Sequence, residues 1–153
     1  GRQYRLSVLK SEESEVYILD DKIILESPNP LDFDLNQKLL VKWYRIEATK
    51  ILEDRFILCL KRVKRIGIEK ASFSIRRMHK RWGSCSTEKG ITLNLELICV
   101  PIDCIDYVIF HELCHIKENS HNQRFLDLLA TVCPDYRELK QKLEMNSDGL
   151  MGL

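Results

Sequence analysis

The sequence has no apolar run that could cross a bilayer as a helix. Its most apolar stretch, residues 97–110, contains two aspartates and a proline, whereas a membrane-spanning helix needs about 20 largely apolar residues. The first 16 residues also lack the apolar core of a secretory signal. These two absences predict a protein without membrane association that resides in the cytoplasm.

The sequence also has no CxxC pair, so a zinc ribbon built on cysteines has no support. Its six cysteines are scattered, and several lie in apolar runs, where free cysteine behaves as a small hydrophobe. Disulfide frameworks are typical of small secreted chains, but 153 residues with 44% hydrophobic content suffice for a true core. We therefore predict a soluble globular protein with reduced thiols.

Net charge is close to zero, but positive charge is concentrated in one stretch. Residues 61–81 contain nine lysines and arginines and a single acid, Glu69, so their net charge is +8 against +1 for the whole chain. Such a stretch can attract a phosphate-bearing partner, either a nucleotide or a nucleic acid. The simpler explanation is a solvated helix end followed by the outer face of a strand.

The chain opens with a short β region. Apolar and polar residues alternate loosely through residues 1–27, and Asp20-Asp21 is a typical turn pair. We predict two or three strands here and place the first domain at residues 1–30. Because the chain begins abruptly in a strand-like segment, we expect this region to be truncated, with strand partners upstream.

A long helix and a second β region are predicted next. Prolines and acids at residues 27–34 precede apolar residues at helical spacing, which continue to Gly67, a typical helix terminator. Residues 71–80 and 91–97 both read as strands, and the second alternates strictly. Because a glycine-bounded loop separates them, we predict an antiparallel pair.

The remaining chain is predicted to be helical. After a proline, apolar residues fall at helical spacing, with Asp103 or Asp106 near the helix start. Another helix covers residues 125–132 and resumes beyond a second proline, and the tail from residue 146 is expected to fray. The second domain is placed at residues 31–153.

Residues 111–115, HELCH, place two histidines four residues apart inside a predicted helix. At about 3.6 residues per turn, both imidazoles lie on nearly one face and can bind one metal ion. Glu112 is displaced by about 100° around the helix, which keeps it out of the coordination shell. It can still take a proton from an attacking water as general base.

A catalytic zinc site usually has three protein ligands and one open position, so a third ligand is required. His121 is the candidate, but a straight helix would place it about 15 Å from His111 along the axis. Asn119 and Ser120 are poor helix formers, so we predict that the chain turns there and returns His121 to the other two. Metzincins share this histidine spacing but carry a glycine where this chain has Glu118, which argues against membership.

The alternative is that His111 and His115 are ordinary histidines of an amphipathic helix, since HExxH occurs by chance in many proteins. The helical context, a third histidine after a helix breaker and the regular strand before it favour a metal site. The remaining histidine, His79, is predicted to be a surface residue. No serine or cysteine is readable as a nucleophile with a histidine and an orienting acid, so the loop at residues 82–86 is predicted to be structural.

Several motifs together resemble the YgjP-like metallopeptidase domain, a group of small predicted metal-dependent hydrolases related to SprT-like and WLM zinc peptidases. They are Trp43-Tyr44, RWGSCS at 81–86, ITLN at 91–94, Pro101, IDYVIFHELCH at 105–115, and His121 followed by Phe125. The resemblance covers roughly residues 35–145. As a set, these motifs are much more specific than HExxH alone.

The resemblance implies that His111, His115 and His121 bind Zn²⁺ and that Glu112 activates water. It also implies a compact α+β, zincin-like fold. In that fold a small antiparallel sheet packs on the HExxH helix and on the long preceding helix, after a short N-terminal β region. The ITLN strand would lie at the rim of the cleft, and an extended peptide could pair with an exposed strand edge over the metal.

Three further residues match motifs of the same family and are candidate contacts for the substrate or the transition state: Arg81, Trp82 and Asn94. An arginine in the RWGSCS loop can stabilise a developing oxyanion. The alternative for this loop is that Arg81 holds its conformation and Trp82 packs.

These observations predict a zinc-dependent hydrolase, foremost a metallopeptidase that acts on peptides or proteins. One alternative is a nucleotide phosphohydrolase, because of the basic stretch at 61–81 and because pyrophosphatase activity toward nucleoside triphosphates is attributed within the family that the chain resembles. The other is a non-enzymatic binding module with a structural or vestigial site. A structural zinc requires a fourth protein ligand, and Cys114 is expected to point away from the histidine face.

Overall fold

A computed structural model of the chain describes residues 3–86, 88 and 90–147. Within these ranges the fold is α+β, as predicted. The strands are β1 (Arg5–Lys10), β2 (Glu15–Leu19), β3 (Lys22–Ser27), β4 (Phe73–Arg76), β5 (Gly83–Ser86) and β6 (Gly90–Asn94). The α-helices are α1 (Phe33–Val63), α2 (Ile102–Cys114), α3 (Gln123–Val132) and α4 (Tyr136–Ser147). Short 3-10 helices lie at Lys64–Ile66 and Leu95–Cys99.

The chain divides into two compact units, and the division falls within α1. One unit extends up to Ala48 and the other begins at Thr49. The first unit therefore contains β1 to β3 and the first half of α1, and the second contains all later elements. The predicted boundary after residue 30 would instead place all of α1 with the later elements.

The first unit contains a three-stranded sheet with β3 in the centre. β1 pairs with β3 in parallel, and β2 pairs with it antiparallel. Leu19 is opposite Lys22, so Asp20-Asp21 is the two-residue turn of a hairpin, as predicted. Asp20 has a positive φ of 55°, a conformation that aspartate tolerates better than most residues.

A side-chain cap begins α1, and Gly67 ends the 3-10 helix that continues it. The backbone N–H of Leu35 donates to Oδ1 of Asp32 at 2.9 Å, which satisfies one of the free donors at the start of the helix. At the other end, Gly67 has a φ of 76° and its N–H donates to the carbonyl of Lys64 at 2.8 Å. The predicted termination at Gly67 is confirmed, because glycine adopts this left-handed conformation without a Cβ penalty.

The core of the second unit forms between α1, α2, α3 and β6. Leu52, Phe56, Cys59 and Val63 of α1 are all buried, and their spacing of three and four residues places them on one helix face. They belong to one cluster with residues of the other elements, including Ile91, Leu93, Ile105, Ile109, Phe110, Leu113, Phe125 and Leu129. Burial of each such side chain is worth about 1.5–3 kcal/mol.

The sheet of the second unit differs from the predicted antiparallel pair. Its order is β4-β6-β5, with β4 parallel and β5 antiparallel to β6. The predicted antiparallel pairing of residues 71–80 with 91–97 is therefore wrong. The loop between them contains a further strand, β5. β5 is the antiparallel neighbour of β6, a position that β4 would occupy in a direct hairpin. Its sequence, GSCS, gives no apolar alternation and begins with a poor strand former.

β6 also ends earlier than predicted, at Asn94 rather than residue 97. Oδ1 of Asn94 accepts a hydrogen bond from the backbone N–H of Glu96 at 3.2 Å, and the 3-10 helix Leu95–Cys99 begins there. An asparagine side chain competes for backbone donors, so the strand ends although the apolar alternation continues.

The predicted helices after the sheet are confirmed. α2 follows Pro101, with Asp103 in its first turn. A proline, Pro134, separates α3 from α4. The tail that was expected to fray lies outside the described ranges from residue 148 onward. All six cysteines are free thiols, and no helix in the described ranges is long and apolar enough to cross a membrane.

An ion pair between α1 and α2 gives a test of this packing. Nε of Arg55 donates to Oδ1 of Asp106 at 2.7 Å, and its Nη2 donates to Oδ2. The side chains are only 27% and 16% exposed. We expect Arg55→Ala to lower the free energy of unfolding by about 2 kcal/mol, because it leaves a largely buried carboxylate unpaired. Urea denaturation measures this change.

The matched control is Lys142→Ala. It removes the partner of Asp103, which lies on α2 as Asp106 does. That pair is 45% and 48% exposed, and exposed pairs contribute at most about 1 kcal/mol. Equal losses of stability for the two variants would contradict the prediction.

Candidate metal centre

Three histidine side chains converge on one point. The Nε2 atoms of His111 and His115 are 3.2 Å apart, those of His115 and His121 are 3.1 Å apart, and those of His111 and His121 are 2.9 Å apart. A straight helix would separate His111 and His121 by about 15 Å. The predicted turn between them is therefore confirmed.

The end of α2 and the start of α3 produce this turn. α2 ends at Cys114, and the carbonyl of Cys114 accepts hydrogen bonds from the backbone N–H groups of Lys117 at 3.0 Å and Glu118 at 3.1 Å. Asn122 then caps α3, with its Oδ1 accepting from the N–H of Phe125 at 3.0 Å. Asn122 thus starts a new helix immediately after His121.

Phe125 packs against all three imidazoles. Its ring centroid lies 5.0 Å from that of His111, 4.6 Å from that of His115 and 4.8 Å from that of His121. Only 1% of Phe125 is exposed. One buried aromatic side chain on α3 therefore restricts the orientation of every histidine in the group.

The imidazoles are in a state suited to metal binding. Burial lowers the pKa of His111 to about 4, and the nearby His115 and His121 act in the same direction. Burial also lowers the pKa of His115. Nδ1 of His115 lies 3.0 Å from the carbonyl of Glu118, so its N–H can donate there and leave Nε2 with a free lone pair. His111 differs, since its buried Nδ1 has no hydrogen-bond partner in the described part of the chain.

The donor set is compatible with a zinc ion. Tetrahedral coordination at 2.0–2.1 Å places ligand nitrogens about 3.3 Å apart, close to the three Nε2 separations described above. Within the described ranges, the group that could hold a metal comprises these three histidines and no fourth His, Cys, Asp or Glu. Cys114 is completely buried in the core. Three ligands with one open position are typical of catalytic sites.

Glu112 is a buried carboxylate beside this group. It is only 7% exposed. Burial raises its pKa to about 7, and the positive charge of Arg81 opposes that rise. A carboxylate with a pKa near neutrality at the edge of a pocket is a typical general base.

The three histidines and Glu112 all line one pocket. Its walls also include Gly83, Ser84 and Cys85 of β5, together with Arg81 and Asn119. β5 pairs with β6 on one side, and no other described strand pairs with its second edge. β5 is therefore the edge strand at the pocket. The expectation that the ITLN strand lies at the rim is corrected, because that strand, β6, is the central one.

The three other candidate residues have different locations. Arg81 lines the pocket, whereas Trp82 packs against the core. Asn94 is 2% exposed and uses its amide group within the protein. Its Nδ2 donates to the carbonyls of Met78 at 2.8 Å and Arg81 at 2.9 Å, and its Oδ1 accepts from the N–H groups of Met78 and Glu96, both at 3.2 Å.

These four bonds correct the assignment of Asn94 as a substrate contact. An amide has two donor and two acceptor positions, and all of them are used. Asn94 instead fixes the loop between β4 and β5, which carries Arg81.

Sequence reasoning missed the wall formed by β5 and the position of Phe125. Short strands of glycine and serine have no periodicity that would reveal them. Phe125 was noted only as part of a family motif after His121, and neither that motif nor its spacing indicates that the ring contacts all three imidazoles.

Comparisons with known proteins agree with this geometry. A family model described as "YgjP-like, metallopeptidase domain" matches residues 1–146. No curated protein matches. Among solved structures, the metallopeptidase zymogen of Pyrococcus abyssi abylysin aligns with a TM-score of 0.55 and 19% identity, over 63% of this chain and 95% of that chain. At this identity the likeness concerns the fold alone.

Burial of Glu112 has a measurable consequence for stability. Because its folded-state pKa of about 7 lies above the ordinary glutamate value of 4.5, its contribution to stability is fully present below about pH 4.5 and is lost as pH rises through 7. Glu112→Gln lacks this titration. Without metal, we expect the variant to gain about 2 kcal/mol over wild type between pH 5 and pH 8.

Chemical denaturation in the presence of a chelator at the two pH values measures this difference. The control is Glu53→Gln, at an exposed position on α1, where the carboxylate stays in water. A Glu112→Gln stability difference that is the same at both pH values would contradict the prediction.

Proposed function

Because the chain belongs to the YgjP-like metallopeptidase domain family, we propose that it hydrolyses peptide bonds at the three-histidine centre. The observation that carries this proposal is the convergence of three Nε2 atoms beside a buried carboxylate in one open pocket. His111, His115 and His121 are the proposed ligands, and Zn²⁺ is the proposed ion. Three-histidine sites also accept other divalent metals, so availability contributes to metal choice.

Glu112 is the proposed general base. A zinc ion held by the histidines would supply Lewis acidity, which polarises a carbonyl and makes water a stronger acid. Glu112 accepts the proton from the attacking water and returns it to the leaving amine. The raised pKa of Glu112 suits both steps, since a carboxylate with a pKa near the working pH can accept and release a proton.

The free edge of β5 is the proposed binding site for the peptide backbone. An extended peptide can add to an exposed strand edge through main-chain hydrogen bonds. Because β5 forms one wall of the pocket, this pairing would place a backbone carbonyl near the histidines. Arg81, at the same wall, is the proposed stabiliser of the developing negative charge.

The two alternatives have less support. Three cations of the basic stretch have partners within the protein: Arg62 donates to the carbonyl of Val132, Arg65 to that of Thr131, and Arg77 to Glu96. Arg81 is the member of the stretch that lines the pocket. No observation therefore specifically favours nucleotide hydrolysis. The described residues also provide no fourth ligand for a structural zinc. The cytoplasmic location stays a prediction.

The proposed ligand set predicts a defined metal content. We expect about one zinc ion per chain in protein purified without added metal, and loss of the metal in His121→Ala, because two imidazoles hold zinc poorly. Elemental analysis measures both. His79→Ala is the control, since His79 is exposed and outside the group. Absence of zinc in the wild type after zinc is offered would instead favour a binding module.

The proposed general base predicts a selective loss of activity. In Glu112→Gln, we expect kcat for a fluorogenic peptide library to fall by about 10²- to 10⁴-fold, with metal content unchanged. Nucleoside triphosphates are assayed in parallel with the same preparations. Unchanged peptide hydrolysis in the variant would refute the role of Glu112, and activity on nucleoside triphosphates alone would replace the peptidase proposal with the nucleotide alternative.

A further inference from the structure

β5 approaches Glu112 so closely that a side chain at position 83 would collide with it. A Cβ atom added at Gly83 would lie 2.7 Å from Cγ of Glu112, 2.8 Å from its Oε1 and 3.0 Å from its Cδ. Carbon atoms in ordinary contact are about 3.5–4.0 Å apart. The bare backbone of the strand is therefore the surface against which the Glu112 side chain packs.

Backbone conformation does not explain this glycine. Gly67 and Gly90 have positive φ angles of 76° and 70°, which other residues rarely adopt. Gly83 does not belong to that group, and it lies within a regular strand. Its requirement for glycine is steric, and the side chain that imposes it is Glu112.

Neighbouring elements hold both backbones in place. Gly83 is opposite Leu93 in the ladder of β5 and β6, and the carbonyl of Trp82 accepts from the N–H of Asn94 at 2.8 Å. On the other side, Leu113 follows Glu112 in α2 and is fully buried. An added methyl group would therefore displace the Glu112 side chain rather than the strand or the helix.

We propose that Gly83 is a positioning residue, whose missing side chain sets the place of the Glu112 carboxylate at the metal centre. This inference rests on the proposed role of Glu112 as general base. In an open pocket the side chain could adopt several rotamers, and the strand backbone removes those that point toward β5. A displacement of about 1 Å at a catalytic group can lower the rate about 100-fold.

The test is a double-mutant cycle between positions 83 and 112. Gly83→Ala should lower kcat for peptides about 100-fold while KM changes less and zinc content stays at the wild-type value. Glu112→Ala removes Cγ and the carboxylate, which are the atoms that the methyl group would meet, and should lower wild-type kcat about 10²- to 10⁴-fold. In the Glu112→Ala background the Gly83→Ala change has no side chain to displace, so it should lower kcat further by less than about threefold.

The matched control is Gly90→Ala, at another glycine of the same sheet. A Cβ there would meet the backbone carbonyl of Ser72 at 2.5 Å, so this variant disturbs the sheet without contacting Glu112. Its effect on kcat should multiply with that of Glu112→Ala. A multiplicative result for Gly83→Ala as well would overturn the proposal.

Two other outcomes are also decisive. If Glu112→Ala leaves wild-type activity unchanged, the role of Glu112 fails and the inference about Gly83 fails with it. If Gly83→Ala alone does not fold, thermal unfolding of the double variant replaces kinetics. Recovery of a folded protein in the Gly83→Ala/Glu112→Ala variant then supports the contact, and an equally unfolded double variant contradicts it.

Discussion

The end of α2 at Cys114 is the constraint on which the candidate centre depends. His111 and His115 belong to the helix face, but His121 reaches them only because the helix stops and the chain reverses within seven residues. The carbonyl of Cys114 closes that turn, and the cap of α3 makes the next helix begin directly after His121. The ring of Phe125 then contacts all three imidazoles. Local backbone hydrogen bonds thus determine the shape of the site. Without them, a continuous helix would carry His121 away from the other two histidines.

The site combines three groups that burial makes reluctant to carry charge. Burial lowers the pKa of His111 and of His115, which disfavours their imidazolium forms, and it raises the pKa of Glu112, which disfavours its anionic form. Neutral imidazoles need not release protons before they bind a metal. A divalent cation would favour ionisation of Glu112 and so reverse part of its burial penalty.

Sequence reasoning was most successful where one residue type has one dominant physical effect. The turn at Asp20-Asp21, the helix end at Gly67 and the return of His121 were all predictable in this way. It failed where side-chain chemistry overrode a pattern. Alternation through Leu97 predicted a longer strand, but the amide of Asn94 captured a backbone donor and ended it. The strand GSCS carries no hydrophobic signal, so β5 could not be predicted. The parallel pairing of β4 and the pocket wall depend on β5, and they could not be predicted either.

The amide of Asn94 has one further consequence. All of its hydrogen bonds are to main-chain atoms of Met78, Arg81 and Glu96, so the conformation of the loop before β5 does not depend on which side chains the loop carries. His79 and Lys80 are exposed, and substitutions at these two positions leave every hydrogen bond of Asn94 intact. The fold therefore separates a loop backbone that one buried amide holds from loop side chains that face solvent.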